Sequence, residues 1–180
     1  MQALAQTSLL DTEPEEQFDR ITRIAQTLFH VPIALVSLVD TERQWFKSRQ
    51  GLDARETSRR VSFCGHVVSS NRPLIVTDTT KDSRFSDNPL VTGDPAIRFY
   101  AGEPLHALGQ PIGTLCLIDR QPRVLSTLQQ AMLKDLALLV EEEIARRITT
   151  QKLRELRGVL SSLADDLGDA LPVSAGGNSS

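Results

Sequence analysis

The stretch Ile33-Ala-Leu-Val-Ser-Leu-Val39, followed by Asp40-Thr-Glu-Arg43 and Gln44-Trp-Phe-Lys-Ser-Arg-Gln50, decides the fold class. The first part is a near-continuous apolar run of strand length, as expected for a strand buried on both faces. Asp40 to Arg43 supply a polar turn, and the second part alternates large and polar side chains until Gly51 breaks it. Together they predict a β-hairpin. Upstream, Phe18, Ile21, Ala25 and Leu28 fall at three- and four-residue spacing, which predicts an amphipathic helix over residues 13–29. Thr12 and Glu15 have the spacing of a capping box, with Pro14 in the first turn.

Downstream, residues 53–60 are polar and read as irregular, and residues 61–68 read as a short helix capped by Ser62. Leu74 to Val76 predict a brief strand. Residues 78–95 turn to Asp, Thr, Ser, Asn, Pro and Gly, a loop of a length that is usually functional or disordered. Residues 97–101 and 111–118 predict two strands joined by turns around Gly109. Ser126 and Gln129 form a second capping box that opens a long helix, supported by Glu142 to Arg146 and Glu143 to Arg147 pairs. Leu153, Leu156, Leu160, Leu163, Leu167 and Ala170 then make a short heptad seam, its interior weakened by Gly158. Pairing with a second chain is one use of this seam; packing of the same leucines onto the sheet within one chain is the other. Residues 172–180 read as a disordered tail. The element order is that of an α+β domain, an antiparallel sheet with helices packed mainly on one face.

Composition narrows the function. The chain has 180 residues, 40% hydrophobic and 24% charged, which suits one globular domain with an extended terminal element. Twenty Lys and Arg against 23 Asp and Glu give a charge of -3, so no nucleic-acid partner is expected. No apolar run approaches a membrane span, and MQALAQTSLL at the start has no basic residue of a signal peptide. A cytoplasmic location is therefore expected, with no membrane partner. Two cysteines, Cys64 and Cys116, are too few for a disulfide framework.

Motifs for catalysis or metal binding are sparse. There is no phosphate-binding glycine loop, nucleophile elbow or Cys-x-x-Cys pair, and His30, His66 and His106 stand apart. Cys64 and His66, two apart on a helix, point in nearly opposite directions. Cys64 and Cys116 can meet in the fold; they are read as small buried hydrophobes, with redox activity as the minor alternative. Asp78, Asp82, Asp87 and Asp94 lack the spacing of a calcium loop. No metal ligand and no catalytic residue is expected, and the sequence specifies no cofactor. What remains is a pocket beneath the 78–95 loop, lined by Phe63, His66, Arg84, Phe85, Asn88, Phe99 and Tyr100, the usual form of a small-molecule site. The alternative is that Phe63, Phe85 and Phe99 fill that space themselves.

Four segments carry a resemblance: Phe63-Cys-Gly-His66, Asp82-Ser-Arg-Phe-Ser-Asp-Asn-Pro-Leu-Val-Thr-Gly93, Ile97-Arg-Phe-Tyr-Ala-Gly-Glu-Pro-Leu105 and Ile112-Gly-Thr-Leu-Cys-Leu-Ile-Asp-Arg120. In this order they resemble the GAF domain of bacterial signalling proteins, especially those that precede diguanylate cyclase or histidine kinase modules. The resemblance implies a five- or six-stranded antiparallel sheet with ligands under loops. It implies a GAF domain over residues 1–148, a helical extension over 149–171 and the tail over 172–180. It further implies a sensory or regulatory role in signal transduction, a homodimer through the terminal helices, and a separate output protein. With no Gly-Gly-Asp-Glu-Phe signature and no kinase nucleotide box, no enzymatic activity is expected of the chain. Some GAF proteins reduce free methionine sulfoxide with cysteines on pocket loops, to which Cys64 and Cys116 do not correspond; a thiol-based redox sensor or such a reductase is the alternative reading. Bilin-carrying relatives attach pigment through a cysteine directly followed by histidine, where Gly65 intervenes here.

Overall fold

The computed structural model describes residues 2–170, which fall into two compact units, residues 2–145 and residues 146–170. The expected tail over 172–180 lies outside the described residues. In the first unit, helices α1 (Gln2–Thr7) and α2 (Glu16–Phe29) precede the hairpin β1 (Ile33–Val39) and β2 (Arg43–Gln50). Then come β3 (Glu56–Ser58), α3 (Phe63–Ser70), β4 (Leu74–Val76), the four-residue helix α4 (Pro89–Thr92), β5 (Phe99–Ala107) and β6 (Gln110–Asp119). Helix α5 (Thr127–Ala170) begins in this unit and makes up the whole described part of the second. The six strands form one sheet in the order β3-β2-β1-β6-β5-β4, every neighbouring pair antiparallel. No helix among the described residues is long and apolar enough to cross a membrane.

Strand parity assigns the two faces of this sheet. Ile33, Leu35, Ser37 and Val39 of β1 share a face with Thr114, Cys116 and Ile118 of β6 and with Tyr100 and Gly102 of β5, as the pairs Ile33↔Ile118, Leu35↔Cys116 and Tyr100↔Ile118 require. Helix α3 and the segment after β4 cover this face, burying Phe63, Cys64, Val67, Phe85, Val91 and Ile97 against it. The opposite face receives α2, whose Thr22 hydroxyl meets Ser48 at 2.7 Å, and the first turns of α5, where Leu133, Leu136, Ala137, Val140 and Ile144 are buried. The Ser126–Gln129 box opens α5 as its spacing predicts, each main-chain N–H donating to the other's side chain at 2.9 and 3.2 Å.

The Thr12–Glu15 box does not form. Helix α2 starts at Glu16, and Glu15 makes no side-chain cap. A β-bulge between Val36↔Ser48 and Ser37↔Phe46 makes Lys47 the extra residue of β2. Its fully buried ammonium donates to Thr12 Oγ1 (2.7 Å), the Glu13 carbonyl (2.8 Å) and Glu15 Oε1 (2.7 Å), and lies 5.5 Å from the Phe18 ring centroid. A buried cation has to be neutralised, and it takes the residues that a local cap would have used.

Three further expectations are revised. The irregular region contains β3, held by the pairs Arg43↔Ser58 and Trp45↔Glu56. Strand β5 continues to Ala107 instead of stopping at Ala101, because Gly102 and Pro104 stay paired with Cys116 and Thr114. Leu108 and Gly109, with φ of 51° and 75°, close the hairpin to β6, the left-handed geometry of a two-residue turn. The N-terminal segment, left unassigned from sequence, forms α1, which packs against β5 and β6. In the second unit, Leu153, Leu156, Leu160, Leu163 and Leu167 are 53–67% exposed.

Candidate functional site

Ser62 sets the site up. Its hydroxyl accepts from Gly65 N at 2.9 Å and caps α3, so that Phe63, Cys64 and Val67 turn into the sheet. Phe63 stacks between Phe85 (centroids 4.2 Å apart) and Tyr100 (5.0 Å), a column of three rings from the 78–95 segment down to β5. Beside this column lies a cavity of about 220 Å³, walled by Ile33, Leu35, Phe46, Phe63, Tyr100 and Ile118. Cys64, Leu90, Ile97, Leu52, Ala54 and Pro95 complete the apolar lining; Gln44, Thr57 and Asp94 are its polar groups. Gly102 is obligatory here. A Cβ there would stand 2.3 Å from Tyr100 Oη, so only glycine lets the tyrosine lie across the neighbouring backbone position.

The segment over residues 78–95 is a folded roof. Asp78 caps a 3₁₀ turn (Thr79–Lys81), and Asn88 caps α4 by accepting from Leu90 N at 2.9 Å. The Asn88 amide donates to the Val61 carbonyl at 3.0 Å, tying roof to the entrance of α3. Phe85 is fully buried and anchors the centre of the segment. Helix α4 and the turn after it bring Leu90, Asp94 and Pro95 to the cavity.

The seven pocket residues proposed from sequence thus separate. Phe63 and Tyr100 wall the cavity, and Phe85 backs Phe63 without reaching it. Asn88 is a cap and a tether. His66 lies on the outer side of α3, its ring edge-on to Phe85 at 4.9 Å, while Cys64 points inward, the divergence that their spacing predicts. Arg84 faces its own loop, donating to Asp82 Oδ1 (2.9 Å) and Oδ2 (2.6 Å) and stacking over Phe85. The Arg84 bonds, partly opposed by burial, hold the Asp82 carboxyl below its usual value. Phe99 is buried on the other face, because adjacent strand residues point to opposite sides and Tyr100 takes the cavity side. Ile33, Leu35, Gln44, Phe46, Leu90, Ile97 and Ile118 were not identified from sequence. Apart from Gln44 their apolar character is visible in the sequence, but the face each strand presents to the cavity depends on pairing register.

Cys64 and Cys116 meet under α3, their sulfurs 3.8 Å apart, and the Tyr100 hydroxyl donates to Cys64 Sγ at 3.3 Å. Burial by itself would push the Cys64 thiol up, but Cys116 and the hydroxyls of Thr114, Tyr100 and Ser37 around its sulfur outweigh this and favour its thiolate. Cys116, hydrogen-bonded to Cys64 and equally buried, is pushed up. The pair thus loses one proton readily and holds the other. Among the described residues no group of three or more His, Cys, Asp or Glu is placed to hold a metal.

A wider open cleft of about 710 Å³ lies between residues 11–14 and the outer end of β2. Several of its charged groups are already partnered: Asp11 and Glu56 pair with Arg43, Arg23 with Glu16, and Asp19 accepts from Ser48. The enclosed cavity is the better candidate site.

Comparison with known proteins agrees with this architecture. The family model for the GAF domain matches residues 13–144. A cyclic di-GMP phosphodiesterase of Pseudomonas aeruginosa is 44% identical over 160 residues, which cover 88% of this chain and 27% of that protein. The chain therefore spans about a quarter of that relative's length. The domain of a two-component sensor histidine kinase protein from Sinorhizobium meliloti superposes with a TM-score of 0.64 at 20% identity, over 80% of this chain and 99% of that one. Free methionine-R-sulfoxide reductase from Neisseria meningitidis, solved with its substrate, superposes at 0.60 and 18% identity, over 81% and 89%. At such identities these structures speak for the fold alone. The phosphodiesterase overturns the expectation that the chain has no enzymatic activity, since the relative that matches it at 44% identity is named for an enzyme, though the match covers only 27% of that protein. With the family model covering most of its length and the sheet, roof and cavity in place, the chain belongs to the GAF domain family.

Proposed function

We infer that this GAF domain is the ligand-responsive input of a cyclic di-GMP phosphodiesterase system, and that it takes a small, mainly apolar molecule into the cavity bounded by Phe63, Tyr100 and Ile97. The observation that carries this reading is the cavity itself, about 220 Å³ of apolar space with three polar groups at its margin, under a roof that Phe85 and Asn88 hold in place. The relative from Pseudomonas aeruginosa supports the choice of signalling system. Arg84 is spent on Asp82, which favours a ligand without a strong negative charge over an anion. A reducing, cytoplasmic setting suits two free thiols in the core. The exposed leucines from Leu153 to Leu167 would join two copies and transmit the change to the phosphodiesterase.

A thermal-shift screen of uncharged metabolites against the purified chain tests the cavity. At least one compound should raise the melting temperature in proportion to its concentration, and Ile97→Trp, which fills the cavity, should abolish the rise. The signalling assignment has its own test. Placing this chain in the phosphodiesterase in exchange for its 160 matching residues should leave cyclic di-GMP hydrolysis intact and make it respond to that compound; loss of all response would remove the proposal.

A further inference from the structure

Ligand binding leaves one feature of the cavity wall unused. Two thiols stand 3.8 Å apart, at most 2% exposed, yet Cys64 lines the cavity, so a molecule inside it meets sulfur directly. Thr114 lies two residues before Cys116 on the same face of β6. It is fully buried, and its Oγ1 has no hydrogen-bond partner among the described residues. An orphaned buried hydroxyl demands an explanation. Beside Cys64 it has one, since a thiolate there would accept from both Thr114 and Tyr100. Two inert core thiols would need neither a cavity at their side nor donors gathered around one sulfur.

We propose that Cys64 and Cys116 are a hydroperoxide-responsive dithiol, converted to an intramolecular disulfide by a small hydroperoxide that enters the cavity. The Cys64 thiolate attacks the terminal peroxide oxygen; an S–O bond forms, the O–O bond breaks, and the leaving alkoxide takes a proton to become an alcohol. Cys116 sulfur then attacks Cys64 sulfur. The S–S bond forms, the S–O bond breaks, and hydroxide leaves as water with the Cys116 proton. Two thiols lose two electrons and two protons, and the hydroperoxide becomes alcohol and water. The favoured ionisation of Cys64 and the retained proton of Cys116 fit the attacking and resolving roles. Closure from 3.8 Å to about 2.0 Å needs a small movement, and the Cys64 side chain borders the cavity's free space. The product would clamp α3 to β6 at the cavity wall, linking oxidation to the same element that carries Phe63.

The reduced chain is treated with a few equivalents of tert-butyl hydroperoxide, quenched with N-ethylmaleimide and weighed intact. The expected product has lost two hydrogens, carries no maleimide and is restored by dithiothreitol. Cys116→Ser should stop at one added oxygen trapped by dimedone on Cys64, and Cys64→Ser should not react at comparable rate. Leu90→Trp, which obstructs the cavity, should slow disulfide formation by roughly tenfold by limiting access to the thiol. An unchanged mass in the folded chain, a disulfide joining two chains, or a Leu90→Trp rate equal to that of the parent would each overturn the proposal. The wild-type mass needs no variant to fold, and a ligand screen without hits leaves the thiol chemistry untouched.

Discussion

Lys47 shows how one residue can redirect a local structure. Its ammonium is fully buried and neutralised by Glu15, which is 27% exposed, so removing the cation leaves a carboxylate that can partly rehydrate. Lys47→Met keeps the aliphatic stem and should cost about 3 kcal/mol, the lower end for a broken buried pair; urea denaturation yielding less than half a kcal/mol would refute the anchoring role. Glu103 makes the opposite case. Burial on β5 raises its carboxyl, with Lys134 pulling it partly back. The folded chain thus holds this proton to higher pH than the unfolded chain, whose carboxyl titrates near 4.5. By linkage, the contribution of Glu103 to stability is most favourable below that value, declines as pH rises through the window up to its folded value, and is fully unfavourable above it. Glu103→Gln should accordingly be more stable than wild type at neutral pH, with the difference vanishing in acid. Asp82, Asp78 and Glu16, whose values are lowered, act in the reverse direction but equally in both proteins. Parallel stability profiles for the two would rule this out.

At the level of elements, the roof depends on a few fastenings more than on its own length. Asn88 caps α4 and holds the Val61 carbonyl, so Asn88→Ala loses a cap and a tether together, at about 1–2 kcal/mol. Hydrogen exchange should rise over residues 78–95 while β1 and β6 keep their protection; uniform acceleration would mean that the roof and sheet open as one. Much of this element level was readable in the residues. The β1–β2 hairpin, the Ser62 and Ser126 caps and the apolar stripe of α2 declare themselves locally, because each is written in neighbouring residues. What could not be read depends on partners far along the chain. Lys47 claims Thr12 and Glu15 from 32 to 35 residues away, and β5 runs past Gly102 and Pro104 because β6 pairs with it. The site suffers from the same limit: Phe99 and Tyr100 are adjacent aromatic residues, and only register decides that Tyr100 meets the cavity.

For the whole molecule, the open question of assembly comes down to the leucines of the second unit. Leu153, Leu160 and Leu167 repeat at seven residues, with Leu156 and Leu163 between them, the a and d places of a heptad. All five are more than half exposed, and Gly158 falls at an outer place with nothing within 4 Å of a Cβ built on it. Its cost is therefore limited to helix propensity, about 1 kcal/mol. Burying a leucine gains about 1.5–3 kcal/mol when fully exposed to begin with; half that gain at ten leucines from two chains still reaches the 4–15 kcal/mol needed to join them. The balance favours a dimer that forms at modest concentration and is sensitive to single layers of the seam. Leu156→Lys with Leu160→Lys places like charges in two adjacent layers, and light scattering should then report monomer where the parent gives dimer. The fold of residues 2–145, whose buried core includes neither leucine, should melt as before. A monomeric parent, or a double variant that remains dimeric, would remove the seam as the coupling surface and require the signal to leave the domain by another route.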